Sequence, residues 1–305
     1  MDVTEPNSTT AHESFELLEE IGRGEVTVVH RAYDLNLGRD VAIKHLNQSC
    51  ATNKKLLDGF LAQARFLAQF DHPAILRIHS VEPSHGWVVM DLMKGSLQSR
   101  IQQGPVEPNT VHSILCQLLP ALEFLHDQGK VHASIRPSNI LIDEEGRVKL
   151  SDFEANNYDG ELRAPTGTKK YLAPELVRTD VSDVGPATDL YCLGFTALEM
   201  LAGPRFSERV LSGLSENVDA DIAWLRWHGN EMAFPPADQL AKKVPADLAA
   251  VIDSLVNKDI SQRPSSAGDA LAQLGQHPIV PVAIPEDAND RLATQDQTQA
   301  SMLPA

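Results

Sequence analysis

The sequence predicts an α+β chain of two lobes, a small strand-rich one followed by a larger, mainly helical one. Three observations predict it. The 305 residues suit about two folding units at roughly 150 residues each. Short Val- and Ile-rich runs fill the first third, and apolar stripes at helical spacing fill most of the rest. A hydrophobic fraction of 42% supplies a sizeable core and excludes wholesale disorder.

The elements follow in order. Residues 1–14 are polar and aperiodic and read as a disordered tail. Phe15–Gly22, Val26–Tyr33 and Arg39–Leu46 read as strands parted by Gly or Asp turns. Lys54–Phe70 carries Leu57, Phe60, Leu61, Ala64, Phe66 and Leu67 at helical spacing, which predicts one helix. Ala74–Val81 and Gly86–Leu92 complete a set of five strands. From Thr110 onward, Val111, Ile114, Leu115, Leu118, Leu119, Leu122 and Leu125 form one apolar stripe. Further helices are predicted near Asp189–Ala202, Ala246–Asn257 and Ser266–Gln273. Trp224 and Trp227, three apart on a predicted helix, read first as core and second as a docking surface. Prolines from Pro278 onward break helices, so 277–305 is expected to be an extended or disordered tail. The body spans 15–276, with a small lobe over 15–92 and a large lobe over 93–276.

The net charge is −16, from 42 acidic and 26 basic residues. A surface this acidic repels phosphate backbones and anionic lipid, so neither nucleic acid nor membrane is an expected partner. It does not decide a local pocket, which is set by its own few charges. Cys50, Cys116 and Cys192 are far apart and make no metal-ribbon or redox pair, as expected in a reducing compartment. The first residues lack the apolar core of a signal peptide, and no apolar run reaches the roughly 18 residues of a membrane helix. A cytoplasmic location is the expectation.

Several short motifs carry chemistry. Gly22 and Gly24 sit in a strand-to-strand turn, where glycine lets backbone N–H groups approach a phosphate. Lys44 ends the apolar strand Val41-Ala42-Ile43-Lys44. Asn139 and Asp152 offer hard oxygen ligands suited to Mg²⁺. Each has a plain alternative: a hairpin turn, a snorkelling lysine, or Asx-turn chemistry.

Taken in order, these pieces resemble the protein-kinase family over residues 15–276. The set comprises the glycine loop, Val-Ala-Ile-Lys, His132-Ala133-Ser134 through Asn139, Asp152-Phe153 and Ala173-Pro174-Glu175. Asp189-Leu-Tyr-Cys-Leu-Gly194 and Arg263-Pro264 extend it, and the flavour is that of bacterial eukaryotic-like Ser/Thr kinases. The resemblance implies a bilobal protein-kinase-like fold with a five-stranded N-lobe. It also implies ATP and Mg²⁺ as candidate cofactors. By position, Gly22, Gly24 and Val29 would roof the nucleotide, and Val29, Ala42 and Leu141 would sandwich adenine. Met90 would be the gatekeeper before hinge residues Asp91–Met93, and Lys44 would pair with the α/β-phosphates. Asn139 and Asp152 would hold Mg²⁺. Glu175 and Arg263 would form a buried ion pair, and Asp189 would brace the catalytic loop. Leu67, Ile78, His132 and Phe153 would stack as an apolar spine.

The departures from the family are concentrated at the chemistry. Ser134 stands where the family has the catalytic Asp, and a serine is a very poor base near neutral pH. Gln63 replaces the helix glutamate that would pair with Lys44. Thr27 replaces the third loop glycine, Glu154 the glycine of Asp-Phe-Gly, and Arg136 the loop lysine. Ala133 replaces the arginine that gathers an activation-loop phosphate, so Thr166 or Thr168 would lack its usual anchor. No catalytic residue is therefore expected. The sequence reads as a pseudokinase: a binding, regulatory or scaffold module that takes ATP with little or no phosphoryl transfer. Its partner would be an unidentified protein, such as an active kinase or signalling protein. The alternative is a weak or atypical Ser/Thr kinase, supported by Lys44, Asn139 and Asp152.

Overall fold

The first hairpins are built from strands whose alternate side chains enter one core. In the computed structural model, which describes residues 14–153, 169–177, 184–212 and 218–284, they are β1 (Phe15–Arg23), β2 (Thr27–Asp34) and β3 (Arg39–Leu46). Next come α1 (Gln48–Ala51), α2 (Lys54–Leu67), β4 (Ile78–Glu82) and β5 (Trp87–Met90). The strands form one antiparallel sheet in the order β1-β2-β3-β5-β4. Ala32, Val41, Ile43, Trp87 and Val89 share one side of it. Val88 points the other way, onto Leu61 and Ala64 of α2. Asn47 and Asn53 cap α1 and α2 by accepting from backbone N–H groups; α2 fills the predicted helix from Lys54, and the single turn α1 before it is too short to show a period.

The chain divides into two units. The smaller holds residues up to Gln69 with Arg77–Leu92, and the larger holds Phe70–Leu76 with the chain from Met93 onward. The sequence predicts 70–76 in the small lobe, with a strand from Ala74. Instead, Leu76 N donates to Leu150 O and Leu150 N to Ala74 O, so these residues are bonded into the larger unit. Apolar residues alone did not reveal which sheet would pair with them.

The larger unit continues with β6 (Gly95–Ser96), α3 (Leu97–Gln102), α4 (Pro108–His126), β7 (Ile140–Ile142) and β8 (Val148–Leu150). Helices α5 (Pro174–Val177), α6 (Pro186–Ala202), α7 (Phe206–Val210) and α8 (Ala220–Gly229) come next. They are followed by α9 (Ala237–Leu240), α10 (Ala246–Leu255) and α11 (Ala267–Gln273). The stripe from Val111 to Leu125 on α4 is wholly buried, and α6 is buried from Thr188 to Ala202. Trp224 and Trp227 are core residues, packed with Phe195, Phe206 and Phe234. Among the described residues, no helix is long and apolar enough to cross a membrane.

Residues 278–284 form neither helix nor strand, as their prolines predict, yet they are packed rather than loose. Val280 N donates to Ser113 Oγ at 2.7 Å and Val282 N to Gly146 O at 2.9 Å, while Val282 and Ile284 are buried. The alternation of Val282 and Ile284 gives this strap an apolar face, so a disordered tail beginning at 277 is corrected for residues 277–284.

Helix α6 touches α10 closely at Gly194, where an added Cβ would fall 2.6 Å from Leu255 Cβ and 2.9 Å from Val256 Cγ1. Gly194→Ala should therefore cost about 1–3 kcal/mol by overpacking. Urea unfolding checks this: the midpoint should fall with little change in slope.

Candidate functional site

In the smaller unit, strand register gathers the nucleotide-type residues on one face. Gly22 pairs with Val29, Val29 with Lys44, Lys44 with Val88, and Ala42 with Met90. Cross-strand partners and alternate residues share a face, so Gly22, Val29, Ala42, Lys44 and Met90 lie together. Helix α2, which carries Gln63, covers that face through Leu61 and Ala64 on Val88. Gly24 N donates to Thr27 O at 2.8 Å, closing the turn. Neither Gly22 nor Gly24 has a positive φ, and a Cβ on Gly22 would meet Val29 at an ordinary 3.6 Å. The chain's own conformation does not require glycine there.

In the larger unit, a buried carboxylate organises the loop before β7. Asp189 on α6 accepts from His132 N and Ala133 N, each at 2.8 Å, and its Oδ2 lies 2.9 Å from His126 Nε2. These bonds hold Ala133 at φ 60, a left-handed conformation unusual for a residue with a Cβ. Asp152 is left-handed too, at φ 53. Each such residue costs of order 1–3 kcal/mol and persists only where its surroundings over-determine it. His132 and Phe153 stack with centroids 4.2 Å apart, and Phe70 extends the stack at 6.0 Å. Burial pushes the His132 imidazole below its usual pKa, against the pull of Asp189 and Asp152. Of the expected spine, Leu67 and Ile78 belong to the smaller unit, and Phe70 is a stacking partner that no sequence motif marks.

Asn139 closes a 3₁₀ turn that Pro137 opens. Its Nδ2 donates to Ser134 O at 2.8 Å and to Ser134 Oγ at 3.0 Å, and lies 3.5 Å from Asp152 O. Ser138 Oγ donates to Asn139 Oδ1 at 3.2 Å. Leu141 lies on β7, paired with Ser96 and Lys149. Arg136 Nε is buried with no hydrogen-bond partner among the described residues. Glu154, Thr166 and Thr168 lie outside the described residues.

Behind this loop, Arg263 donates through Nη1 and Nη2 to the two Glu175 oxygens, both at 2.9 Å. Thr188 Oγ1 adds a third bond to the same carboxylate. Burial pushes the Glu175 carboxyl up, but the Arg263 guanidinium outweighs it and leaves it below the ordinary range. His228 bridges Tyr191 Oη and Lys170 O, each at 2.9 Å. Burial lowers its pKa from 6.5 to about 4.

The smaller unit thus carries a strand lysine, and the larger unit, taken by itself, carries a braced loop with two oxygen ligands of the metal-binding type. Comparison with known proteins agrees. The family model described as "Protein kinase domain" matches residues 15–280, and the chain belongs to the protein kinase superfamily, of the bacterial eukaryotic-like type. It is 31% identical over 287 residues to serine/threonine-protein kinase PknB of Mycolicibacterium smegmatis, covering 88% of this chain and 44% of that protein. It is 32% identical over 219 residues to serine/threonine-protein kinase PknL of Mycobacterium tuberculosis, covering 66% of this chain and 53% of that protein. The chain thus spans about half, or less, of the length of these relatives.

The family generally uses ATP and Mg²⁺. The residues fit the metal. Asn139 commits its donor nitrogen to Ser134, which leaves Oδ1 as its ligand-type atom, and the neighbouring Asp152 offers a carboxylate.

Acid should loosen the larger unit. The unfolded His228 takes a proton near pH 6.5 and the folded one only near 4. The folded state is therefore not penalised above pH 6.5, and loses about 3 kcal/mol as pH falls through that window. Urea unfolding from pH 7.5 to 4.5 should show this slope flattened in His228→Gln. An unchanged slope in that variant would refute the assignment.

Proposed function

We propose that this chain is a kinase-fold pseudokinase, a binding and regulatory module that takes Mg-ATP and transfers phosphate poorly or not at all. The observation that carries the reading is Ser134. The residue at the base position has no carboxylate, and its hydroxyl accepts the Asn139 amide at 3.0 Å. Losing a positioned base costs roughly 10²–10⁴-fold in rate. The substitutions at Gln63, Ala133 and Glu154 act in the same direction, on lysine positioning, phosphate capture and the metal turn.

Retained groups support nucleotide binding. Lys44 would meet the α/β-phosphates, with Gly22, Gly24, Val29, Ala42, Met90 and Leu141 around the nucleotide. Asn139 Oδ1 and the Asp152 carboxylate would hold Mg²⁺, which when bound neutralises phosphate charge. The partner is a protein, an active kinase or another signalling component, met in the cytoplasm; the charge of −16 disfavours nucleic acid. A second reading, a weak Ser/Thr kinase, draws on the intact Lys44, Asn139 and Asp152 and on the names of the relatives.

The test pairs two assays on one preparation. The melting temperature should rise with Mg-ATP by mass action, and Lys44→Ala should abolish the rise. Phosphotransfer should be at background in the wild type and increase in Ser134→Asp. Robust wild-type turnover that disappears in Asp152→Ala would overturn the pseudokinase reading.

A further inference from the structure

Outside the loop around Ser134, three side chains from three segments of the larger unit converge. His112 is buried on α4, Asp247 lies in the first turn of α10, and His277 lies just past α11. Each offers one ligand atom, and these atoms all lie within 4.8 Å of one another. We propose that His112, Asp247 and His277 form a binding site for a divalent transition metal of the zinc type, which fastens the strap after α11 to α4 and α10.

The chemistry selects the ion. Two imidazoles and one carboxylate are the donors of three-ligand zinc sites, where water takes the fourth position. Mg²⁺ and Ca²⁺ prefer all-oxygen sites, so this set discriminates against both. One ligand pair already has nearly the spacing an ion would impose, and the His112 atom lies within reach of both. His277 Nε2 lies 3.0 Å from Asp247 Oδ2 and the two imidazole centroids are 4.5 Å apart. An ion bonded tetrahedrally to both atoms at about 2.0–2.1 Å would set them about 3.3 Å apart.

The surroundings hold the ligands in place, as metal sites require. His112 Nε2 lies 2.9 Å from Gly275 O, and Nδ1 lies 3.6 Å from Cys116 Sγ. Whichever nitrogen coordinates, the other keeps a neighbour that fixes the ring. Gly275 N donates to Asp247 Oδ2 at 2.7 Å, and a Cβ on Gly275 would fall 2.5 Å from that oxygen. A side chain at 275 would therefore push the Asp247 carboxylate away from this backbone N–H. The Asp247 and His277 side chains keep 28% and 29% of their surface exposed, so an ion has a path from solvent. The plain alternative is a hydrogen-bond clip between His277 and Asp247 that takes no metal.

Titration calorimetry on the full chain, stripped with a chelator and then exchanged free of it, separates the two. Zn²⁺ should bind at one equivalent and raise the melting temperature, while Mg²⁺ at the same concentration should do neither. The exposed ligands carry the mutational test, since His112→Ala risks the core. His277→Ala and Asp247→Asn should each weaken zinc binding by about tenfold or more. His45→Ala is the control, because His45 and His30 are the stacked histidine pair of the smaller unit. Cobalt(II) should give the intense visible bands of a tetrahedral site, lost in His277→Ala. Absence of zinc binding in the wild type would overturn the proposal. So would binding that survives in His277→Ala or is lost in His45→Ala.

Discussion

The larger unit is organised around one fully buried carboxylate. Asp189 has no exposure to water, and a buried charge is tolerable only when it is hydrogen-bonded. Its bonds to His132 N and Ala133 N, with His126 beside them, meet that demand and at the same time dictate the shape of the loop. Helix α6 brings the carboxylate there because it is buried along nearly its whole length and cannot shift without disturbing α4 and α10. The left-handed Ala133, the His132–Phe153 stack and the turn into Asn139 all follow from that anchorage.

Shape and chemistry are separable in this loop. The backbone geometry rests on Asp189, the His132 ring and the Asn139 amide, none of which is the base. The side chain at 133 can therefore change without the loop collapsing, because it was not holding it. Ser134 even contributes to order, as its carbonyl and hydroxyl both receive the Asn139 side chain. The Glu175–Arg263 pair is of the same structural kind. It is bidentate, buried and reinforced by Thr188, and its worth lies in fixing the chain before α6 to the chain after α10.

Much of this was legible in the residues because periodicity and motif reinforce each other. The strand Arg39–Leu46 falls where its Val- and Ile-rich run puts it, and the stripe from Val111 to Leu125 is buried as its spacing demands. Asp189, Glu175 and Arg263 were legible only through the family pattern, since nothing local marks a buried ion pair. The helices Leu97–Gln102 and Phe206–Val210 are too short to show a period. The pairing of Ala74 and Leu76 with Leu150, the place of Phe70 in the stack and the meeting of His112 with Asp247 and His277 are long-range facts. They depend on which segments the fold brings together, and a linear pattern carries no record of that.

The strap over residues 278–284 bears on how the chain is completed. Its bonds reach back to Ser113 and Gly146, and Gly146, at φ 75, has Pro281 and Val282 within 2.8 Å of where a Cβ would stand. The groove that receives it is formed by elements synthesised much earlier. During translation these elements can pack while the groove stays open to water, and Val282 and Ile284 close it only after they leave the ribosome. Residues 278–284 thus act as a seal, added to a body already assembled.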